Sequence, residues 1–297
     1  MAMISIIGAG KWGCALYSAF NKNNKCLITS RTARNLENFV DLKEAIKSEY
    51  LVFSLSTQIS YSWLKNNFSN NNQKILVASK GIDFSSGKFL HEIFGEFISD
   101  ENLAFLSGPS FASEVIKSLP CAVVISSLNL NLAKEFVSFF PDFMKAYTSS
   151  DVIGAEICGA YKNVIAIASG ICEGLNLGNN ARASLMARGL VEMKRFGNVF
   201  GGLDETFLGL SGAGDLFLTA SSTLSRNFRV GLGLASGKKI DDIMAEIGEV
   251  AEGVITSKAI IKIAKQREIY TPIANEVALI IDGKNPKISL NDLLKQK

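Results

Sequence analysis

Apolar residues follow two different patterns along the chain. Through Tyr147 they fall in short runs, at 3–7, 25–29, 50–55, 74–79, 103–107, 122–126 and 144–147. Runs of this length, rich in β-branched and aromatic residues and bounded by turn formers, predict buried strands. Helices are predicted between them over 14–20, 41–48 and 132–139, around His91, and after the small-residue loop 108–112. This strand–helix alternation predicts an α/β fold with a doubly wound sheet and helices on both faces. From Ser149-Ser150-Asp151 onward the strand-like runs largely stop. Helical spacing takes over at 154–170, 179–196, 254–265 and 273–281, with a last helix expected over 291–296. The pattern divides the chain into a sheet domain, residues 1–149, and an all-α domain, residues 150–297.

The first strand runs into Gly8-Ala9-Gly10-Lys11-Trp12-Gly13, a GxGxxG, and then into a helix. In that setting the first glycine permits the tight turn, the second lets the backbone approach a pyrophosphate, and the third lets helix pack on strand. The free N–H groups of the helix start face the phosphates. The sheet domain is therefore expected to be of Rossmann type and to bind a dinucleotide. An acid that would hold a free ribose 2′-hydroxyl is expected about 20 residues past the motif. Ser30 stands there instead, followed by Arg31, which suits a 2′-phosphate. NADP(H) is favoured, with NAD(H) as the alternative. Lys80-Gly81 and Gly108-Pro109-Ser110-Phe111-Ala112 follow the ends of later strands, where ligands of open α/β sheets bind.

The helix at 154–170 has apolar or small residues at nearly every position, with Lys162-Asn163 in its middle. Such a helix is buried. A buried ammonium must be paired, neutralised or used, unless its stem packs while its head reaches water. Glycines around Asp215 predict a turn presenting that carboxylate to a neighbour. Ser225-Arg226-Asn227 forms a polar, basic cluster, and Glu249-Val250-Ala251-Glu252 a further polar turn. A dinucleotide domain joined to such a helical domain is the arrangement of a dehydrogenase for a small substrate. The cofactor supplies hydride, and the protein must supply orientation and a proton. His91, the single histidine, sits outside any polar cluster, so a desolvated lysine is the better acid or base.

Net charge is +3, from 31 basic and 28 acidic residues, too small to argue for nucleic acid or a membrane surface. Five cysteines without a CxxC pair, and one histidine, offer no metal site and suit reduced thiols. Met1 leads directly into a strand, and no run of about 18 uncharged apolar residues occurs, so neither a signal peptide nor a membrane span is expected. A cytoplasmic location is expected.

Gly8-Ala9-Gly10-Lys11-Trp12-Gly13, Ser79-Lys80-Gly81, Ser107-Gly108-Pro109-Ser110-Phe111-Ala112, Lys162-Asn163-Val164-Ile165-Ala166, Gly214-Asp215-Leu216 and Ser225-Arg226-Asn227 stand in one order. In that order the chain resembles the bacterial NAD(P)-dependent glycerol-3-phosphate dehydrogenases over almost its whole length. The resemblance implies interconversion of dihydroxyacetone phosphate and sn-glycerol 3-phosphate, a cytoplasmic and often dimeric enzyme, and a role in phospholipid synthesis. It implies Lys162 as proton donor and acceptor. It implies substrate contacts from Lys80, Gly108, Ser110, Asp215, Ser225, Arg226 and Asn227, with Asn163 and Thr219 nearby. Lys11, Trp12, Arg31, Lys80, Ala112, Arg226 and Glu252 would contact the dinucleotide.

Two departures from the family pattern bear on the cofactor. The segment 34–40 is shorter than the family's link between the second and third strands, and Ser56-Thr57 stands where members carry Pro-Ser. A 3-hydroxyacid dehydrogenase of similar build is the enzymatic alternative. A non-catalytic NADP(H)-binding redox sensor is the alternative outside enzymes, although it would leave Lys162 without a task.

Overall fold

The computed structural model describes residues 3–295. Seven strands, β1 (Met3–Ile7), β2 (Lys25–Thr29), β3 (Tyr50–Phe53), β4 (Lys74–Val77), β5 (Leu103–Ser107), β6 (Cys121–Ser126) and β7 (Met144–Ser149), form one sheet in the order β2-β1-β3-β4-β5-β6-β7. All pairs are parallel except β5 with β6. Helices α1 (Lys11–Phe20), α2 (Leu42–Ala45), α3 (Thr57–Asn67), α4 (Leu90–Gly95), α5 (Ala112–Ile116) and α6 (Leu130–Val137) connect the strands. Two apolar clusters form the core of this part. One contains Ile4, Ile6, Leu16, Phe20 and Phe136; the other contains Leu51, Phe53, Leu64, Phe94 and Phe105. Residues that alternate along β1 and β3 fall into different clusters, as expected for strands buried on both faces.

The second half is helical: α7 (Val152–Gly174), α8 (Gly178–Asn198), α9 (Asp204–Leu208), a π-helical turn at Leu210–Gly214, α10 (Asp215–Ala220), α11 (Arg226–Ala235), α12 (Ile240–Ile247), α13 (Glu252–Gln266), α14 (Pro272–Ile281) and α15 (Pro286–Lys295). By length and composition α7 could cross a membrane, yet 94% of its apolar window is buried inside the protein, as in a core helix. The last helix starts earlier than expected, at Pro286, because proline is accommodated at a helix start, and Gln296 lies outside the described residues.

The chain packs as two compact units. One holds the residues up to Lys80 together with Lys88–Glu156; the other holds Gly81–Gly87 and the chain from Ile157 onward. The sequence places a single boundary after residue 149, whereas the packing divides the chain at Lys80, Gly87 and Glu156.

The order β2-β1-β3 reverses direction at β1, so the chain ends of β1 and β3 flank a topological switch point. The shortened segment 34–40 forms no helix. It runs beside β2 through an isolated bridge between Ile28 and Phe39, with Val40 N–H donating to the Ile28 carbonyl at 3.0 Å.

Candidate active site

In the sheet unit, the site is built where β1 turns into α1. Gly8 N–H donates to the Thr29 carbonyl of β2 at 2.9 Å, and Ser54 N–H at the end of β3 donates to the Ile7 carbonyl at 2.9 Å. These bonds press the loop against both neighbours. Gly8 has φ +112°, and a Cβ there would stand 2.7 Å from the Ser54 carbonyl oxygen. A Cβ on Gly13 would stand 1.8 Å from the Gly8 carbonyl oxygen, so helix and strand meet at bare backbone. Gly10 differs: its φ of −75° suits any residue, and a Cβ there would meet nothing within 4 Å. Its missing side chain keeps open space over the start of α1, where no side chain caps the helix. The residues therefore fit the phosphates of a dinucleotide, which this loop and the amide groups of α1 would hold.

Other predicted residues of this unit gather beside the strand ends. Trp12 Nε1 donates to the Ala78 carbonyl at 3.1 Å. Lys80 Nζ lies 3.4 Å from the Gly108 carbonyl oxygen, which also accepts from Ser110 Oγ at 3.2 Å. Ala112 begins α5. Gly108 has φ +102°, with Ala122 and Val123 packed against the position a Cβ would take. Arg31 is exposed just beyond β2. The sequence reading missed Arg34, whose charge reaches the Cys14 thiol on α1; burial raises that thiol's pKa and Arg34 partly offsets the rise. It also missed the use made of Thr57: its hydroxyl donates to the Lys80 carbonyl at 3.1 Å.

In the helical unit, Lys162 is anchored by α10. Its Nζ donates to Asp215 Oδ1 at 2.5 Å and to Thr219 Oγ1 at 3.1 Å, and Thr219 Oγ1 donates to Asp215 Oδ1 at 3.3 Å. Asp215 and Thr219 are one helical turn apart on α10, which the π-helical turn delivers; such turns recur at functional sites. The side chains of Lys162 and Asp215 are only 9% and 2% exposed, so the ion pair is largely buried. The expected approach of Asp215 to a neighbour is realised, and the neighbour is Lys162.

Asn163 turns to another partner set. Its Nδ2 donates to the Gly159 carbonyl at 3.1 Å, and its Oδ1 accepts from Asn227 Nδ2 at 2.9 Å. Asn227 Oδ1 in turn accepts from Gly253 N–H at 3.0 Å, beside Glu252 at the start of α13. The two asparagines thus tie α7, α11 and α13 together. Ser225 caps α11 by accepting from Phe228 N–H at 3.2 Å. Arg226 Nη1 lies 3.4 Å from Glu249 Oε2, a half-exposed pairing that the sequence did not suggest.

Two buried acids on the long helices were also missed. Glu192 of α8 is 2% exposed; it accepts from Tyr161 Oη at 2.8 Å and from the first amides of α14, Ile273 at 2.8 Å and Ala274 at 2.9 Å. In the sheet unit, Glu156 accepts from His91 N–H at 2.9 Å and pairs with His91 Nδ1 at 2.5 Å. The apolar surroundings of Glu156 near the start of α7 could have flagged it, since a buried carboxylate needs partners, whereas Glu192 sits in the charged helix α8 and carries no such signal. Burial alone would lower the His91 pKa, but the bond and charge of Glu156 outweigh it, helped by Glu92 and Asp100, so the pKa is raised. Burial raises Glu156 as well, only partly offset by His91. Both groups bind protons more tightly when folded. Their contribution is complete below the unfolded pKa and is lost as pH rises through the folded one. Urea midpoints should therefore fall from pH 6 to pH 7.5, and His91→Gln should flatten that slope. A midpoint rising over this range would contradict the pairing.

Among the described residues, no group of three or more His, Cys, Asp or Glu could hold a metal ion. Family models described as NAD-dependent glycerol-3-phosphate dehydrogenase N-terminus and C-terminus match residues 19–133 and 151–291. A glycerol-3-phosphate dehydrogenase (NAD(P)+) of Campylobacter lari is 64% identical over 294 residues, covering 99% of this chain and 98% of the relative. One of Sulfurimonas denitrificans is 58% identical, covering 99% of each. A crystal structure of glycerol-3-phosphate dehydrogenase from Coxiella burnetii superimposes with a TM-score of 0.90 at 31% identity, covering 99% of both chains.

Proposed function

The chain belongs to the NAD-dependent glycerol-3-phosphate dehydrogenase family, and we propose that it reduces dihydroxyacetone phosphate to sn-glycerol 3-phosphate with NAD(P)H. The observation that carries this reading is the buried Lys162–Asp215–Thr219 triangle. When bound, the reduced dinucleotide supplies the hydride that the carbonyl carbon accepts. The chain must then supply one proton to the carbonyl oxygen, and Lys162 gives it from its ammonium. Asp215 provides the counter-charge that makes a buried ammonium tenable, and Thr219 fixes its direction. In the reverse reaction the amine of Lys162 takes the hydroxyl proton.

The helical unit is the catalytic one in this reading, and the sheet unit holds the cofactor. Arg226 suits a phosphate because its fork of donors matches phosphate oxygens. Ser225 and Asn227 lie beside it in sequence, and Lys80, Gly108 and Ser110 contribute from the sheet unit. Asn163 acts by holding Asn227 rather than by offering a free amide. Gly8, Gly10, Lys11, Trp12, Gly13, Arg31, Lys80, Ala112, Arg226 and Glu252 serve the dinucleotide. All five cysteines are free thiols, which suits the reducing cytoplasm, and the product feeds phospholipid synthesis. The 3-hydroxyacid alternative is set aside, since the full-length relatives carry the glycerol-3-phosphate dehydrogenase name.

The test is the initial rate with dihydroxyacetone phosphate, comparing NADPH and NADH. The purified protein should oxidise NADPH when given this ketone, and Arg31→Asp should weaken NADPH more than NADH. Absence of turnover across neutral pH with cofactor bound would overturn the reaction. An unchanged cofactor preference would remove Arg31 from the 2′-phosphate site.

A further inference from the structure

Past Val77, where β4 ends, Ala78 N–H still donates to the Phe53 carbonyl of β3 at 2.8 Å. Beyond that bond the chain leaving β3 turns toward α3, and side chains take over from the ladder. Trp12 Nε1 donates to the Ala78 carbonyl at 3.1 Å, Ser79 Oγ to the Leu55 carbonyl at 2.5 Å, and Thr57 Oγ1 to the Lys80 carbonyl at 3.1 Å. All of these residues belong to the sheet unit.

Thr57 is the first residue of α3 and is 2% exposed. A hydroxyl at a helix start commonly serves its own helix by capping it. Here the N-cap residue, Ser56, makes no side-chain cap bond, and the Thr57 hydroxyl reaches across to the chain leaving β4. The other end of Lys80 is held too: its Nζ lies 3.4 Å from the Gly108 carbonyl oxygen, in the turn after β5. One residue is thus gripped twice, at its backbone by α3 and at its ammonium by the β5 turn. A lysine side chain has much rotamer freedom to lose, so a fixed base is what lets its head return to one place. The reaction as derived above gives Thr57 no task.

We propose that Thr57 is a positioning residue for Lys80: its buried hydroxyl fixes the peptide plane that follows the Lys80 Cα, and so fixes where the Lys80 ammonium meets the phosphorylated substrate. The proposal rests on the reading of Lys80 as a contact residue. Without the hydroxyl the Lys80 carbonyl loses this donor, and the peptide plane is free to turn toward another. The stem of Lys80 then starts from a shifted base, and its head leaves the Gly108 carbonyl.

A double-mutant cycle on the full chain tests it, with kcat and KM for dihydroxyacetone phosphate as readout and urea midpoints as the folding control. Thr57→Val keeps the shape of the side chain and removes the donor. It should lower kcat/KM by about 10-fold, chiefly through KM, and Lys80→Ala should lower it by at least as much. In the Lys80→Ala background Thr57→Val should add less than about twofold, because the side chain it positions is gone. Thr57→Ser, which keeps the hydroxyl, should retain nearly full activity. An unchanged kcat/KM in Thr57→Val, full additivity with Lys80→Ala, or a serine variant as weak as the valine one would overturn the proposal and leave the Lys80 assignment intact. If Lys80→Ala itself changes nothing, the contact role of Lys80 fails first and the proposal falls with it. Should Thr57→Val not fold, Thr57→Ala enters the same cycle, with Thr57→Ser separating loss of the hydroxyl from loss of the methyl group.

Discussion

Lys162→Met lowers turnover of dihydroxyacetone phosphate by at least about 10²-fold, while NADPH affinity stays near that of the unaltered chain. The expectation follows from the chemistry the site must perform. Hydride addition to a carbonyl develops negative charge on oxygen, and a positioned acid quenches it in the same step. Asp215 and Thr219 hold the Lys162 ammonium by hydrogen bonds, and in the proposed reaction they orient it for that task. Methionine has nearly the same length and suits the apolar surroundings of α7, so it removes the proton without opening a large cavity. Lys162→Arg separates the two properties of the lysine. Arginine keeps the positive charge beside Asp215 but does not give up its proton at working pH. Turnover should therefore fall in both variants, whereas stability should fall clearly only in the methionine one. Equal losses in turnover and cofactor affinity would make Lys162 structural. Full activity in the arginine variant would make it a binding cation rather than an acid.

How far this site could be read in advance depends on how local its signals are. The GxGxxG loop was legible because its three glycines act within six residues, and Gly8 and Gly13 make the tight backbone approaches expected of the turn and of helix packing on strand. The buried character of α7 was legible from composition, and so was the need to account for Lys162. Its partner was legible only as a turn aimed at something, because Asp215 lies 53 residues further along the chain.

The misses have the same physical origin. Helix α11 was not predicted, since Gly231 and Gly233 look like breaks in the pattern. In the fold, a Cβ on Gly231 would stand 2.1 Å from the Ile167 carbonyl oxygen, and one on Gly170 would stand 2.1 Å from that of Phe228. Those glycines mark the crossing of α11 over α7, where backbone meets backbone, and no periodicity within either helix announces it. The antiparallel entry of β6 was likewise invisible. A short, largely apolar strand has a sequence pattern that looks the same in either direction. His91 looked like a solitary side chain because Glu156 is 65 residues away.

The Lys162–Asp215 pair should also be visible as stability. Asp215→Asn leaves a 9%-exposed ammonium without its carboxylate, and Lys162→Met leaves a 2%-exposed carboxylate without its cation. Removing one partner of a buried pair costs roughly 3–5 kcal/mol, mostly through the charge left uncompensated. The double variant Lys162→Met with Asp215→Asn removes both charges. It should therefore be destabilised by clearly less than the sum of the two single changes, and urea unfolding of the four proteins measures that coupling. Simple additivity would mean that the two side chains do not compensate one another, and the triangle could not then be the source of an oriented acid. Apolar replacement of a whole buried pair is often neutral or stabilising, so stability alone does not explain why the chain carries this one. Turnover does. Asp215→Asn should reduce it as well, because asparagine can accept a hydrogen bond from the ammonium but carries no counter-charge, so the buried ammonium is held far less firmly. A chain made more stable by losing both charges and inactive without them would show that the buried lysine is maintained for the reaction.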